Sequence, residues 1–124
     1  MLKEHPIDTV LLITDKNLAT EFYQQKVGLD IVEEDEHRIV VASGPGRITL
    51  SLSTTGTSDT QTQASWRVKD IAEELQVLRQ RGIHPEEYND EFIQTKNGIA
   101  DVGFAWAAWI VDPFQNVLGI LQMK

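Results

Sequence analysis

The sequence predicts an α+β fold built from two tandem βαβββ modules. Three observations carry that reading. Strand, helix, glycine stop and further strands occur twice in the same order. A stretch with almost no apolar residue, Thr54 to Thr62 (TTGTSDTQT), separates the two occurrences. Within each, apolar residues recur at strand or helix spacing between turn residues. The expected layout is one domain over 1–124, with module one at 6–54, a linker at 55–62 and module two at 63–123.

Ile7 to Thr14 (IDTVLLIT) is apolar and β-branched, too continuous for a strand exposed on one face. A helix is expected next, over 16–27. Asp15 or Asn17 caps it, Leu18 and Phe22 share a face, and Gly28 stops it. Leu29 to Val32 and Arg38 to Ala42 read as strands, and Ser43 to Gly46 (SGPG) as a turn. Arg47 to Ser53 is a further strand with Ile48, Leu50 and Leu52 on one face.

After the linker the pattern restarts with a strand, Gln63 to Val68. Asp70 caps a helix over 70–81, and Glu73 completes a capping box. Ile71, Leu75 and Leu78 give it an apolar face, and Gly82 and Pro85 follow its end. Glu86 to Asp101 is polar and without a clear period, but its Asn97-Gly98 pair marks a tight hairpin. Gly103 to Val111 is a strand of small and aromatic residues, Asp112 to Asn116 (DPFQN) a turn, and Val117 to Met123 the last strand.

The halves overlay. Ile13-Thr14-Asp15 falls on Val68-Lys69-Asp70, Phe22 on Leu75, and Arg47 to Leu50 on Val117 to Ile120. A repeat of this length indicates a tandem module rather than a solenoid. A single βαββαβ domain of ferredoxin type ranks second, because it leaves the strands between Leu29 and Ser53 unexplained.

Composition narrows the function. With 124 residues there is enough chain for one core. The net charge of −8 disfavours nucleic acid and anionic membranes as partners; it serves solubility and would favour a cationic ligand. No apolar run approaches the roughly 20 residues of a membrane helix. Met1 to Pro6 has no apolar stretch behind a basic segment, so it does not read as a secretory signal. Without cysteine there are no disulfides, thiolate metal sites or cysteine nucleophiles. A cytoplasmic protein is expected.

The opening IDTVLLITDxxLAxxFYxxxVGLDI and the closing WIVDPFQNVLGI carry a family resemblance. The second is similar to a closing motif of an aromatic residue, two further residues, then D-P-x-G-N. Over Ile7 to Leu121 the chain resembles the vicinal-oxygen-chelate superfamily of glyoxalases, bleomycin-resistance proteins and extradiol dioxygenases. The resemblance implies a mixed sheet curled into a half-barrel, a central cleft that takes the ligand, and a homodimer. Relatives isomerise, cleave aromatic rings, modify fosfomycin or bind a drug, so the fold leaves the function open.

Catalytic relatives hold a divalent metal through four side chains, usually histidine or glutamate. The resemblance places those positions at Thr9, Thr49, Gln63 and Gly119. None is histidine, aspartate or glutamate, and only Gln63 offers an amide oxygen. A one-residue shift brings in only Asp8 as an acidic ligand and turns the side chain to the opposite face. No metal and no cofactor are therefore expected. His5, His37 and His84 form no ligand pair, and the Glu33 to Glu36 run lacks the order of a calcium loop. There is no G-x-S-x-G elbow and no phosphate loop.

The aromatic content is more telling. Trp66, Trp106 and Trp109 all fall on strands of module two. Phe104 and Trp106 share one face of their strand, and Trp109 takes the other unless a bulge intervenes. One such face lines the cleft in the family, where a tryptophan offers a flat surface for stacking. The ligand-binding candidates are Thr9, Thr49, Gln63, Trp66, Phe104, Trp106, Trp109 and Arg47, with Arg67 a further partner for an anion. The leading reading is a metal-independent protein that binds a small, partly planar organic molecule. The second is a lyase-type or dioxygenase-type enzyme whose site has moved or uses no metal, with no catalytic residue assigned. The third is a protein whose dimer or fused partner matters instead of a ligand.

Overall fold

A computed structural model describes residues 1–58 and 61–124. The chain divides into two compact units, Met1–Thr57 and Ser58–Lys124. The division falls inside the segment read as a linker, of which Asp59 and Thr60 lie outside the described residues.

The first unit opens with a short 3-10 turn, Leu2–Glu4, and strand β1, Thr9–Ile13. Helix α1, Lys16–Thr20, runs on as a π-helical stretch, Glu21–Lys26. Strands β2 (Asp30–Glu34), β3 (Arg38–Ser43) and β4 (Gly46–Leu52) follow. The sheet order is β1-β4-β3-β2, with β1 parallel to β4 and the remaining pairs antiparallel. Asp15 is the cap: its Oδ1 accepts the N–H of Asn17 at 2.8 Å and of Leu18 at 3.0 Å. The π-helical stretch is a departure from the 3.6-residue period assumed from sequence. Its widened turn shows in the bond from the N–H of Val27 to the carbonyl of Phe22, 2.9 Å.

Register decides which face of this sheet carries the core. Thr9, Leu11 and Ile13 align with Ile48, Leu50 and Leu52, while Ile39 and Val41 align with Leu50 and Ile48. Leu11, Ile13, Ile39, Val41, Ile48 and Leu50 are buried, as are Ala19, Phe22 and Tyr23 of the helix. Each of the leucine, isoleucine, valine and phenylalanine side chains contributes roughly 1.5–3 kcal/mol through removal of apolar surface from water. Val10, Leu12, Arg47 and Thr49 take the alternate positions, on the face away from the helix. There Val10 is 59% exposed and Leu12 39%.

The second unit consists of β5 (Thr62–Arg67), α2 (Ile71–Gln80), β6 (Thr95–Lys96), β7 (Ile99–Asp101), β8 (Ala105–Val111) and β9 (Val117–Met123). The order β5-β9-β8-β7-β6 repeats that of the first unit with one short strand added. The repeat extends to register in the parallel pair. Val10 pairs with Thr49 in one sheet and Ser65 with Gly119 in the other, as the overlay equates them. Helix α2 is capped by Asp70, whose Oδ1 accepts the Glu73 N–H at 3.1 Å, and its Ile71 N–H donates to Gln122 Oε1 at 2.8 Å. Gln122 shares its face with Ile120, Leu118, Ala108 and Ile110, so α2 covers that face. All four of those residues are buried, together with Ile71, Leu75 and Leu78 of the helix.

The added strand comes from the stretch that showed no period. Asn97 and Gly98 have φ of 54° and 79° between Lys96 and Ile99, the paired positive values of a type I′ turn. Gly98 also lies against the Pro85 ring; a Cβ here would stand 2.8 Å from the Cβ of Pro85. Arg79 ties α2 to this hairpin by donating to the Asn97 carbonyl at 2.8 Å. Among the described residues, no helix is long and apolar enough to cross a membrane.

Candidate functional site

On the face of the second sheet away from α2 there is a cavity of about 480 Å³. Thr62, Glu86, Tyr88, Asp90, Trp109 and Gln115 are prominent in its wall. Trp109 stands on β8, and the strand partner opposite it is Gly119, which has no side chain to crowd the indole. The ring is fixed on several sides. Its Nε1–H donates to Thr62 Oγ1 at 3.1 Å, and Tyr88 meets it edge-on with centroids 5.4 Å apart. Its carbonyl accepts the Glu86 N–H at 2.8 Å, which joins the 86–94 segment to β8.

That segment folds back on itself through local bonds. Tyr88 and Thr95 bond reciprocally: the Tyr88 N–H donates to Thr95 Oγ1 at 2.8 Å, and the Thr95 N–H to the Tyr88 carbonyl at 2.9 Å. Asp90 Oδ1 accepts the N–H groups of Phe92 and Ile93, each at 2.8 Å. Those two bonds, Ile93's first, hold the Asp90 carboxyl below its ordinary pKa and so keep it charged. Burial, and then the Glu86 carboxylate nearby, push the Tyr88 phenol up, so Tyr88 stays protonated and able to donate.

Beneath the cavity the DPFQN turn forms a closed polar knot. Asp112 and Asn116 are buried. Asp112 Oδ1 accepts the N–H of Phe114 and of Asn116, each at 2.8 Å, and Asn116 Nδ2 donates to Asp112 Oδ2 at 2.7 Å. Gln115 sits where the closing motif D-P-x-G-N has glycine, and its backbone is in the left-handed region, φ 70°.

The sequence-predicted residues are distributed unevenly. Trp109 is in the cavity wall. Trp66 aligns with Ile120 and Trp106 with Gln122, which places both on the α2 face of the same sheet. Trp106 carries the Lys124 ammonium 4.4 Å from its ring centroid. Phe104 precedes β8 and is exposed. Gln63 occupies the extra position of a bulge between Thr62 and Ala64. Arg47 lies 3.4 Å from the Glu33 carboxylate, which Arg38 also holds at 3.0 Å. Thr9 and Thr49, expected to act together, stand on opposite faces of the first sheet, because Thr9 continues the core side of Leu11 and Ile13. Val10, not Thr9, shares the face of Thr49, so a one-residue shift at Thr9, expected to turn a side chain away from that face, turns it towards it instead. Glu86, Tyr88, Asp90 and Gln115 were not anticipated. For Glu86, Tyr88 and Asp90 the only sequence signal was the Asn97-Gly98 turn, which requires a returning strand on each side; Gln115 was marked only as part of the DPFQN turn.

The metal that the resemblance implies for catalytic relatives does not fit these positions. They offer two hydroxyls on opposite faces, one amide, and at Gly119 nothing. A Cβ at Gly119 would stand 2.6 Å from Ser65 Oγ and 3.2 Å from the methyl of Thr62. Among the described residues, no three histidine, aspartate or glutamate side chains converge on a point.

No protein-family profile matches the chain, and neither does any curated protein. Solved structures do. A glyoxalase/bleomycin resistance protein/dioxygenase from Alicyclobacillus acidocaldarius is 16% identical, with a TM-score of 0.74 over 96% of this chain and 91% of that one. A bleomycin-binding protein, solved in complex with bleomycin, is 18% identical, with a TM-score of 0.71 over 97% and 99%. A genomically encoded fosfomycin resistance protein from Listeria monocytogenes is 10% identical, with a TM-score of 0.73 over 97% and 93%. The chain therefore has the fold of the glyoxalase, bleomycin-resistance and dioxygenase proteins. This is the α+β vicinal-oxygen-chelate fold that the sequence predicts, with one short strand added to the second βαβββ module.

Proposed function

We propose that this protein binds a small, partly planar organic molecule against Trp109, in the cavity of the second unit, without a transition metal. The carrying observation is the indole itself, fixed by Thr62, Tyr88 and the Glu86 backbone in the wall of a cavity of about 480 Å³. A ring held this rigidly loses little entropy when a planar group stacks on it. The solved structure with bleomycin bound supports a binding role for the fold. Tryptophan fluorescence and indole N–H resonances, followed across a library of planar compounds, test the reading. Trp109→Ala should weaken binding by at least about tenfold, while Trp106→Ala leaves it unchanged. Binding lost with Trp106 or Trp66 and retained without Trp109 would place the ligand elsewhere. Metal dependence is tested by adding zinc, nickel or manganese to stripped protein. Metal-dependent affinity that disappears in Gln63→Ala would overturn the metal-free part.

The same reading has the protein act as a cytoplasmic homodimer. Support comes from β1, an edge strand whose Val10 and Leu12 are exposed. Sedimentation should give a dimer at roughly tens of micromolar, where an interface of standard size persists. A monomer there removes this element.

A further inference from the structure

We propose that the molecule taken by this cavity is an organic cation, with its positive charge on or next to the planar group that meets Trp109. This rests on the binding reading above and adds the charge of the ligand to it. Among the described residues, the cavity wall contains two carboxylates, Glu86 and Asp90, and no lysine, arginine or histidine. Glu86 is half-buried and anchored through its backbone to Trp109, and among the described residues its carboxylate has no ion-pair partner. The Glu86 carboxylate therefore has no internal counter-charge, and a cationic ligand supplies one. Asp90 is held in its charged form by the N–H groups of Phe92 and Ile93, so it adds a second fixed negative charge.

The rings favour the same sign. The faces of Trp109 and Tyr88 carry the negative lobe of the aromatic quadrupole and attract a cation placed over them. The same strand shows the contrast. Trp106, on the opposite face, already has the Lys124 ammonium 4.4 Å from its ring centroid. Trp109 has no such internal cation among the described residues. A carboxylate or phosphate ligand would meet Glu86 and Asp90 with no basic side chain to offset them. The chain's charge of −8 adds long-range attraction for a cation.

Three probes of one shape and different charge separate the possibilities: benzamidine, its neutral isostere benzamide, and the anion benzoate. Each is titrated into the full chain while the indole N–H resonance assigned to Trp109 is followed. Benzamidine should bind at least about tenfold more tightly than benzamide, a difference expected of one partly desolvated ion pair plus a cation–π contact. Benzoate should not bind. Glu86→Gln should weaken benzamidine by about tenfold and leave benzamide unchanged. Equal affinities for benzamidine and benzamide, or tighter binding of benzoate, would overturn the cation proposal while leaving the cavity as a binding site. No shift of the Trp109 resonance with any probe at about 10 mM, a concentration that detects even very weak binding, would overturn both. An unaltered benzamidine affinity in Glu86→Gln and in Asp90→Asn, with the Trp109 shift intact, would also sink the charge assignment.

Discussion

The two units share strand order and pairing register, yet the faces they turn away from their helices are unlike. In the first, that face carries the Glu33, Arg38 and Arg47 ion pairs beside the exposed Val10 and Leu12. In the second, the equivalent face carries Trp109 and a cavity. The difference originates between the helix and the strands. Residues 27–29 suffice to pass from the helical stretch to β2 in the first unit, whereas residues 81–94 intervene before β6 in the second. That longer connection supplies Glu86, Tyr88 and Asp90. One scaffold, used twice, acquires a binding wall in one copy by lengthening a single connection. Loops placed on a rigid sheet are the usual carriers of such chemistry.

The sharpest way to break the comparison is at the hairpins joining the last two strands. The first unit closes this hairpin with Gly44-Pro45, and the second with the buried Asp112–Asn116 knot. Asp112→Ala leaves the N–H groups of Phe114 and Asn116 and the Asn116 amide without their buried acceptor. We expect a loss of about 3 kcal/mol, since each orphaned donor has a desolvation cost of its own. The loss should appear in thermal unfolding, with hydrogen exchange rising first in β8 and β9.

Next comes the added hairpin. Gly98→Ala forces a side chain into the left-handed region and against Pro85, with a cost of about 2 kcal/mol. Pro85 adjoins Glu86, so the cavity should loosen before the sheet does. A Trp109 indole resonance unchanged in this variant would show that the hairpin does not support the cavity.

A smaller effect is expected at Gln115. Gln115→Gly relieves the positive φ of 70°, and after the entropy glycine adds to the unfolded chain the gain is about 0.5 kcal/mol. The same change removes an amide from the cavity wall. A more stable variant with altered ligand preference would show that the strain is kept for binding.

The mildest test is acid. Asp35 in the first unit is lowered chiefly by the His37 N–H, Asp90 in the second by the Ile93 N–H, and Asp101 by Lys124. Each native value lies below the ordinary 3.8. Their stabilising contributions are therefore complete above that pH and lost as pH falls through the lower native values. All three groups are exposed, so the losses are modest and screened by salt. Asp90→Asn should reduce the acid sensitivity of the second unit, where Asp101 still contributes, and leave that of the first as it was.

Much of this architecture was legible because local signals and tertiary pattern agree. Asp70 caps α2 as expected and Asp15 rather than Asn17 caps α1; the apolar spacing marks the buried face of α2, whereas in the first module Leu18 and Leu52, expected on the apolar faces, are exposed. That Trp109 lies on the face opposite Trp106 followed from alternation along one strand; which of the two faces borders the cavity did not. What was not legible has physical causes. The connection 86–94 is held by side chain to backbone bonds at Asp90 and Thr95, which leave no period in the sequence. The pairing of Thr9 with Thr49 failed because a one-residue error on a strand inverts the face, and resemblance alone does not fix register to one residue.

Gly119 has a further consequence, for the routes by which this protein could change its chemistry. A carboxylate or imidazole introduced there by one substitution must displace the Ser65 hydroxyl and crowd the methyl of Thr62. Thr62 is the residue whose hydroxyl anchors the Trp109 indole. The first step towards a metal ligand therefore damages the aromatic wall before any metal can be held. Ser65→Gly clears the nearest obstruction and touches none of the bonds that fix the indole. Order matters on such a path: Ser65 has to change before Gly119. A descendant with both a ligand at 119 and an intact Trp109 would carry that history in its sequence.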